Sequence, residues 1–153
     1  MQNMEITRRQ ILAGSIAIPF SLTLTSGSSG SSDPSVPSSD EFYLEAVKQD
    51  GCVIQYIDDP SEIVQIEAVK KAGYVIEHIK NPSERVQMEA VKKDGYVIQH
   101  IKSPTEKVKV EAVKQNGFAI QHIKNPSEQM KIEAVKQDGC AIKYIDNPSE
   151  RSR

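Results

Sequence analysis

From residue 39 onward this chain copies itself every 22 residues, and that periodicity is the strongest constraint on what it can fold into. The units run 39–60, 61–82, 83–104, 105–126 and 127–148 without insertion, and a remnant follows at 149–153. A unit this short cannot close a hydrophobic core by itself, so its apolar side can be buried only against copies of itself. The period therefore predicts a solenoid whose core is built by stacking.

Local chemistry indicates the shape of one unit. Each carries Glu-Ala-Val-Lys, beginning at Glu45, Glu67, Glu89, Glu111 and Glu133, then a glycine, then an apolar segment closed by proline. In the unit 61–82, Ser61 is a suitable N-cap and Glu62 complements the positive start of a helix. At about 100° per residue, Val64, Ile66, Ala68 and Val69 cover more than half the circumference, leaving Glu67, Lys70 and Lys71 to solvent. Gly73 is expected to end this helix with a positive φ. Val75, Ile76 and Ile79 then share one side of a second, short helix over 74–80, which must be held by packing because it is too short to stand alone. Pro82 closes the unit, and Asn81 before it is expected to be extended. The predicted fold is all-α, an α-solenoid of five 22-residue helix-turn-helix repeats.

These units resemble a family of uncharacterised helical repeats from bacteria, phages and large viruses, which read close to Ala-Val-Lys-Gln-Asn/Asp-Gly-x-Ala-Leu/Ile-Gln-Tyr. The copies nearest that pattern are Ala112-Val113-Lys114-Gln115-Asn116-Gly117-Phe118-Ala119-Ile120-Gln121-His122 and the stretch 134–144, and the likeness covers 39–148. The resemblance implies an all-helical repeat array. The family is a domain of unknown function, so it brings no substrate or catalytic residue.

Composition agrees with a thin stack, since three Phe, five Tyr and no Trp supply few of the large side chains a deep core uses. Lys plus Arg number 19 against 21 Asp plus Glu, a mixed balance that signals neither a nucleic-acid surface nor an acidic tail. Cys52 and Cys140 are four units apart, too distant to bridge within one chain and too few for a disulfide framework.

The first 30 residues read differently. Thr7-Arg8-Arg9-Gln10-Ile11-Leu12 precedes a small and apolar stretch over 13–24 and then a Ser/Gly run. Charge, apolar segment and small residues in that order resemble an export signal, and the paired Arg8 and Arg9 resemble the twin-arginine class. The apolar stretch is too short and too rich in Ser and Thr to be a stable membrane anchor. The expected location is the periplasm or cell exterior if the leader functions, and the cytoplasm otherwise. Residues 31–38 have the composition of a Ser/Pro linker.

Three columns of side chains invite a functional reading. His78, His100 and His122 occupy one position in the three middle units. Neighbouring units should place them roughly 8–10 Å apart, one helix-packing distance, whereas the ligands of one zinc ion each lie about 2 Å from it, so no metal is expected. Four residues before each histidine stands Tyr74, Tyr96 or Phe118, whereas in the end units Cys52 and Cys140 precede Tyr56 and Tyr144. The exchange reads as two side chains one helical turn apart sharing a fixed volume. Lys80, Lys102 and Lys124 form a basic row flanked by Asp58 and Asp146.

The chain has no phosphate-binding Gly-rich loop, His-Glu-x-x-His, Cys-x-x-Cys or nucleophile elbow, so neither a catalytic residue nor a cofactor is expected. The functional expectation is a non-enzymatic scaffold for a protein or peptide partner, with His78, His100 and His122 as the face and Lys80, Lys102 and Lys124 as its rim. The alternative is a structural protein that self-assembles through its solenoid ends.

Overall fold

A computed structural model describes residues 38–145. Among the described residues five α-helices alternate with five short 3₁₀ helices, and there is no strand. The α-helices are α1 (Ser39–Gln49), α2 (Glu62–Lys71), α3 (Glu84–Lys93), α4 (Glu106–Gln115) and α5 (Glu128–Gln137). Each is followed by its 3₁₀ helix: η1 (Gly51–Tyr56), η2 (Gly73–His78), η3 (Gly95–His100), η4 (Gly117–His122) and η5 (Gly139–Tyr144). Contacts run from each unit to the next, α against α, η against η, and each α-helix against the η segment before it. The chain is an all-α solenoid of five sequential repeats.

The α-helices begin where an oxygen-bearing side chain can satisfy an unpaired amide. Ser38, Ser83, Thr105 and Ser127 accept from the N–H groups of Glu41, Val86, Val108 and Met130. Ser38 and Glu41 complete a reciprocal capping box. Ser61 holds the cap position of α2 without making the cap bond, and its buried hydroxyl has no partner. The expected ion pair between Glu67 and Lys70 is present at 3.0 Å.

Each α-helix ends at a single extended residue: Asp50, Ala72, Asp94, Asn116 or Asp138, with φ between −152° and −141°. That residue serves both helices. The Asp94 N–H donates to the Ala90 carbonyl at 3.0 Å, and the Asp94 carbonyl accepts from the Val97 N–H at 3.2 Å. Its carboxylate also accepts from the Tyr96 N–H at 2.9 Å, capping the 3₁₀ helix. Asp50, Asn116 and Asp138 repeat this bond at 2.8 to 3.0 Å, while Ala72 has no side chain with which to make it.

Two backbone expectations are corrected. The repeat glycine, Gly73 included, does not terminate the α-helix with a positive φ; no described glycine has one, and each is the first residue of its 3₁₀ helix. Its cause is close approach. A Cβ added at Gly95 would lie 2.2 Å from the Ala112 carbonyl oxygen of the next α-helix, with 2.5 Å at Gly117, 2.8 Å at Gly51 and 3.1 Å at Gly73 from the equivalent oxygens. The left-handed residues are instead Asp59, Asn81 and Asn125, each with φ 52° and each preceding a proline. Asn81 is therefore not extended. Asn and Asp tolerate this region because their short polar side chains can hydrogen-bond locally, and it turns the chain back towards the next cap.

The core is a set of parallel columns. The α-helices supply Ala46, Ala68, Ala90, Ala112 and Ala134, with Val47, Val69, Val91 and Val113 beside them, and all are fully buried. The 3₁₀ helices supply Ile54, Ile76, Ile98 and Ile120, and the extended residues after them supply Ile57, Ile79, Ile101, Ile123 and Ile145. The second helix is 3₁₀, a form used in short pieces; its six residues bury two adjacent side chains, such as Val75 and Ile76, and Ile79 follows as an extended anchor. No described helix is long and apolar enough to cross a membrane. Residues 1–37, with Arg8 and Arg9, and residues 146–153, with Asp146, lie outside the described residues.

Candidate partner-binding ridge

The 3₁₀ segments set which side chains reach solvent. Within each six-residue helix the third and fourth residues point into the core, as Val97 and Ile98 do. The fifth and sixth are exposed, giving the pairs Gln55 and Tyr56, Glu77 and His78, Gln99 and His100, and Gln121 and His122. The second residue is exposed at Tyr74 and half-buried at Tyr96 and Phe118. Stacking the units aligns these positions into a ridge of aromatic, imidazole and polar groups.

His78, His100 and His122 all lie on this ridge, exposed, as the sequence placed them in one column. Lys80, Lys102 and Lys124 are exposed just beyond each 3₁₀ helix, and none forms an ion pair with a described residue. The pairing expected within each unit is corrected. A 3₁₀ helix has about 3 residues per turn, so residues four apart no longer lie in line. The contacts run between units instead. The Tyr96 ring meets the His122 ring edge to face, with centroids 4.9 Å apart, and Phe118 meets Tyr144 in the same way at 5.9 Å. At the other end the Cys52 thiol lies 3.0 Å from the Tyr74 hydroxyl.

Polar groups tie the ridge together. One Glu77 oxygen lies 3.4 Å from His78 Nε2 and the other 3.3 Å from His100 Nδ1, so this carboxylate spans two units. The Gln121 amide donates to the Tyr96 hydroxyl at 3.3 Å. The Lys143 ammonium sits 5.0 Å from the Tyr144 ring centroid and 6.0 Å from that of Phe118, within cation–π range. Hydrogen bonding to Cys52 is the first cause raising the Tyr74 pKa above 10.0, followed by the thiol's charge, burial and the charges of Asp50 and Glu77, so the phenol stays protonated near neutrality. Burial, and secondarily the charge of His100, lowers the His122 pKa below 6.5.

Glu77 and Gln121 were not singled out by sequence reasoning. The only available signal was their place beside the histidine column, and their contacts join residues 23 and 25 positions apart. No group of three or more His, Cys, Asp or Glu among the described residues could hold a metal ion. Both cysteines are free, Cys52 half-buried and Cys140 exposed. Away from the ridge, a shallow depression is lined by α3 alone, through Glu84, Arg85, Met88, Glu89 and Lys92. The ridge offers rigid aromatic edges with donors and acceptors beside them, a combination suited to gripping another polypeptide. No family model, curated protein or solved structure matches the chain.

Proposed function

We propose that this chain is a non-enzymatic repeat scaffold that binds a protein or peptide partner along the ridge of its five 3₁₀ helices. The observation that carries this reading is the row of exposed Tyr74, His78, His100, His122 and Tyr144, interleaved with half-buried Tyr96 and Phe118, on one side of a stack whose core is aliphatic. Aromatic and imidazole side chains have few rotatable bonds, and those already locked by neighbours lose little further freedom when a partner arrives. Lys80, Lys102 and Lys124 form a basic rim that adds steering for an acidic partner.

The test is affinity capture from the native host with the immobilised chain, alongside a variant carrying Tyr96→Ala and His122→Ala. The expected result is a partner retained by the native chain and lost by the variant, while both give the same helical circular dichroism. A partner held equally by both would sink the reading. In the same proposal the leader delivers the folded array out of the cytoplasm, supported by Arg8 and Arg9 ahead of the apolar stretch. Replacing both arginines with lysine should block export, and unchanged export would remove this part of the reading.

A further inference from the structure

Gly139 is a glycine that its own surroundings do not require. Its φ is not positive, and a Cβ added there meets nothing within 4 Å. At the four preceding repeat glycines, the carbonyl of Ala68, Ala90, Ala112 or Ala134 from the following α-helix sits 2.2 to 3.1 Å from that Cβ position. Gly139 thus presents the seat of such a helix with no described residue occupying it.

The side chains around it tell the same story. Val135 and Ile142 are half-buried, whereas their counterparts in the inner units, Val113 and Ile120 among them, are 2% exposed or less. The opposite end has the complementary deficit. Phe42 on α1 is half-buried where Val64, Val86, Val108 and Met130 are 1% exposed or less. One end exposes the surface that receives a helix; the other exposes apolar surface on a helix of the kind that is received. These are the two halves of an interface the molecule forms between every pair of successive units.

We propose that a second copy of this chain docks head to tail on the C-terminal end, its α1 seated on α5 and η5 as each inner α-helix is seated on the unit before it. The occupant follows from continuity with the internal interface: the open seat is shaped for a helix of this repeat, and α1 is the described helix of that repeat whose outer side is not covered by another described unit. The contact is heterologous, so one docking leaves both free ends available, and association continues into rods rather than stopping at a dimer. It uses the ends and leaves the ridge open, so it stands apart from the partner-binding proposal.

Sedimentation velocity of the full chain over a wide concentration range tests this, with Gly139→Val as the decisive variant. The substitution meets no described atom of its own chain but would collide with an arriving alanine carbonyl. Native protein should grow in mass with concentration. Gly139→Val should stay monomeric with a melting midpoint, in dilute solution, no lower than that of the native chain. Added to native protein it should shorten the rods, because its α1 can still dock while its own C-terminal end accepts nothing. A native chain that is monomeric at every concentration would overturn the proposal, as would growth unaffected by the variant.

Discussion

The close approach at the repeat glycines predicts a graded response to one small perturbation, the addition of a methyl group. In Gly95→Ala the new Cβ would lie 2.2 Å from the Ala112 carbonyl oxygen, 3.0 Å from the Asn116 nitrogen and 3.1 Å from the Ala112 carbonyl carbon. Carbon to oxygen contacts are comfortable at about 3.3 Å or more, so α4 must withdraw from η3 by roughly 1 Å. All three opposing atoms are backbone, and no side-chain rotation can relieve the overlap. Overpacking of this kind costs about 1–3 kcal/mol. Against it stands about 0.4–1 kcal/mol gained because alanine restricts the unfolded chain. The net loss is about 1.3 kcal/mol at the middle of these ranges, or a fall in melting midpoint of roughly 5–10 °C for an array of this size. Gly139→Ala carries the entropic gain without the overlap and should be stabilised by about 0.4–1 kcal/mol in dilute solution. Gly117, Gly51 and Gly73 should fall between in that order, following their 2.5, 2.8 and 3.1 Å distances. Thermal and urea denaturation of the five alanine variants would settle the matter. Equal losses at Gly95 and Gly139 would refute the packing argument, because a cost common to every unit would have to arise within the glycine's own backbone.

Two further predictions follow from particular side chains. Ala72→Asp should stabilise the chain by about 0.5–1 kcal/mol by supplying to η2 the cap that Asp50, Asp94, Asn116 and Asp138 give their own 3₁₀ helices, and an unchanged urea midpoint would show that bond to be worth nothing here. The lowered His122 pKa means that the unfolded chain takes up this proton more readily than the folded one. The stability tied to this group is complete above the unfolded value of 6.5 and is lost as pH falls towards the folded one. NMR titration should place the His122 midpoint below 6.5, and His100→Gln should raise it only part way, because burial is the larger cause. Full recovery to 6.5 would assign the shift to charge alone.

Much of this architecture was legible from residue patterns, because each unit repeats the same local instructions. Serine or threonine at the start of the α-helix, the Glu-Ala-Val-Lys run, the apolar stripe through Val64 and Ala68 and the proline stop all act over a few residues, and the array follows from copying them. The histidine and lysine columns were equally readable, since register is inherited from the exact period.

What the tertiary structure decided were distances between units, and these carry no local signal. Glycine at the turn has the same appearance in sequence whether it serves a positive φ or a close carbonyl; only the Ala112 oxygen beside Gly95 tells which. The partners of Tyr96, Phe118 and Glu77 likewise lie in the next unit, at separations fixed by how the 3₁₀ helices stack. Sequence alone determined the repeating unit because its helix starts, stops and apolar faces are short-range choices. The stack determined the glycine's purpose and the ridge contacts, because each depends on an atom belonging to a neighbour.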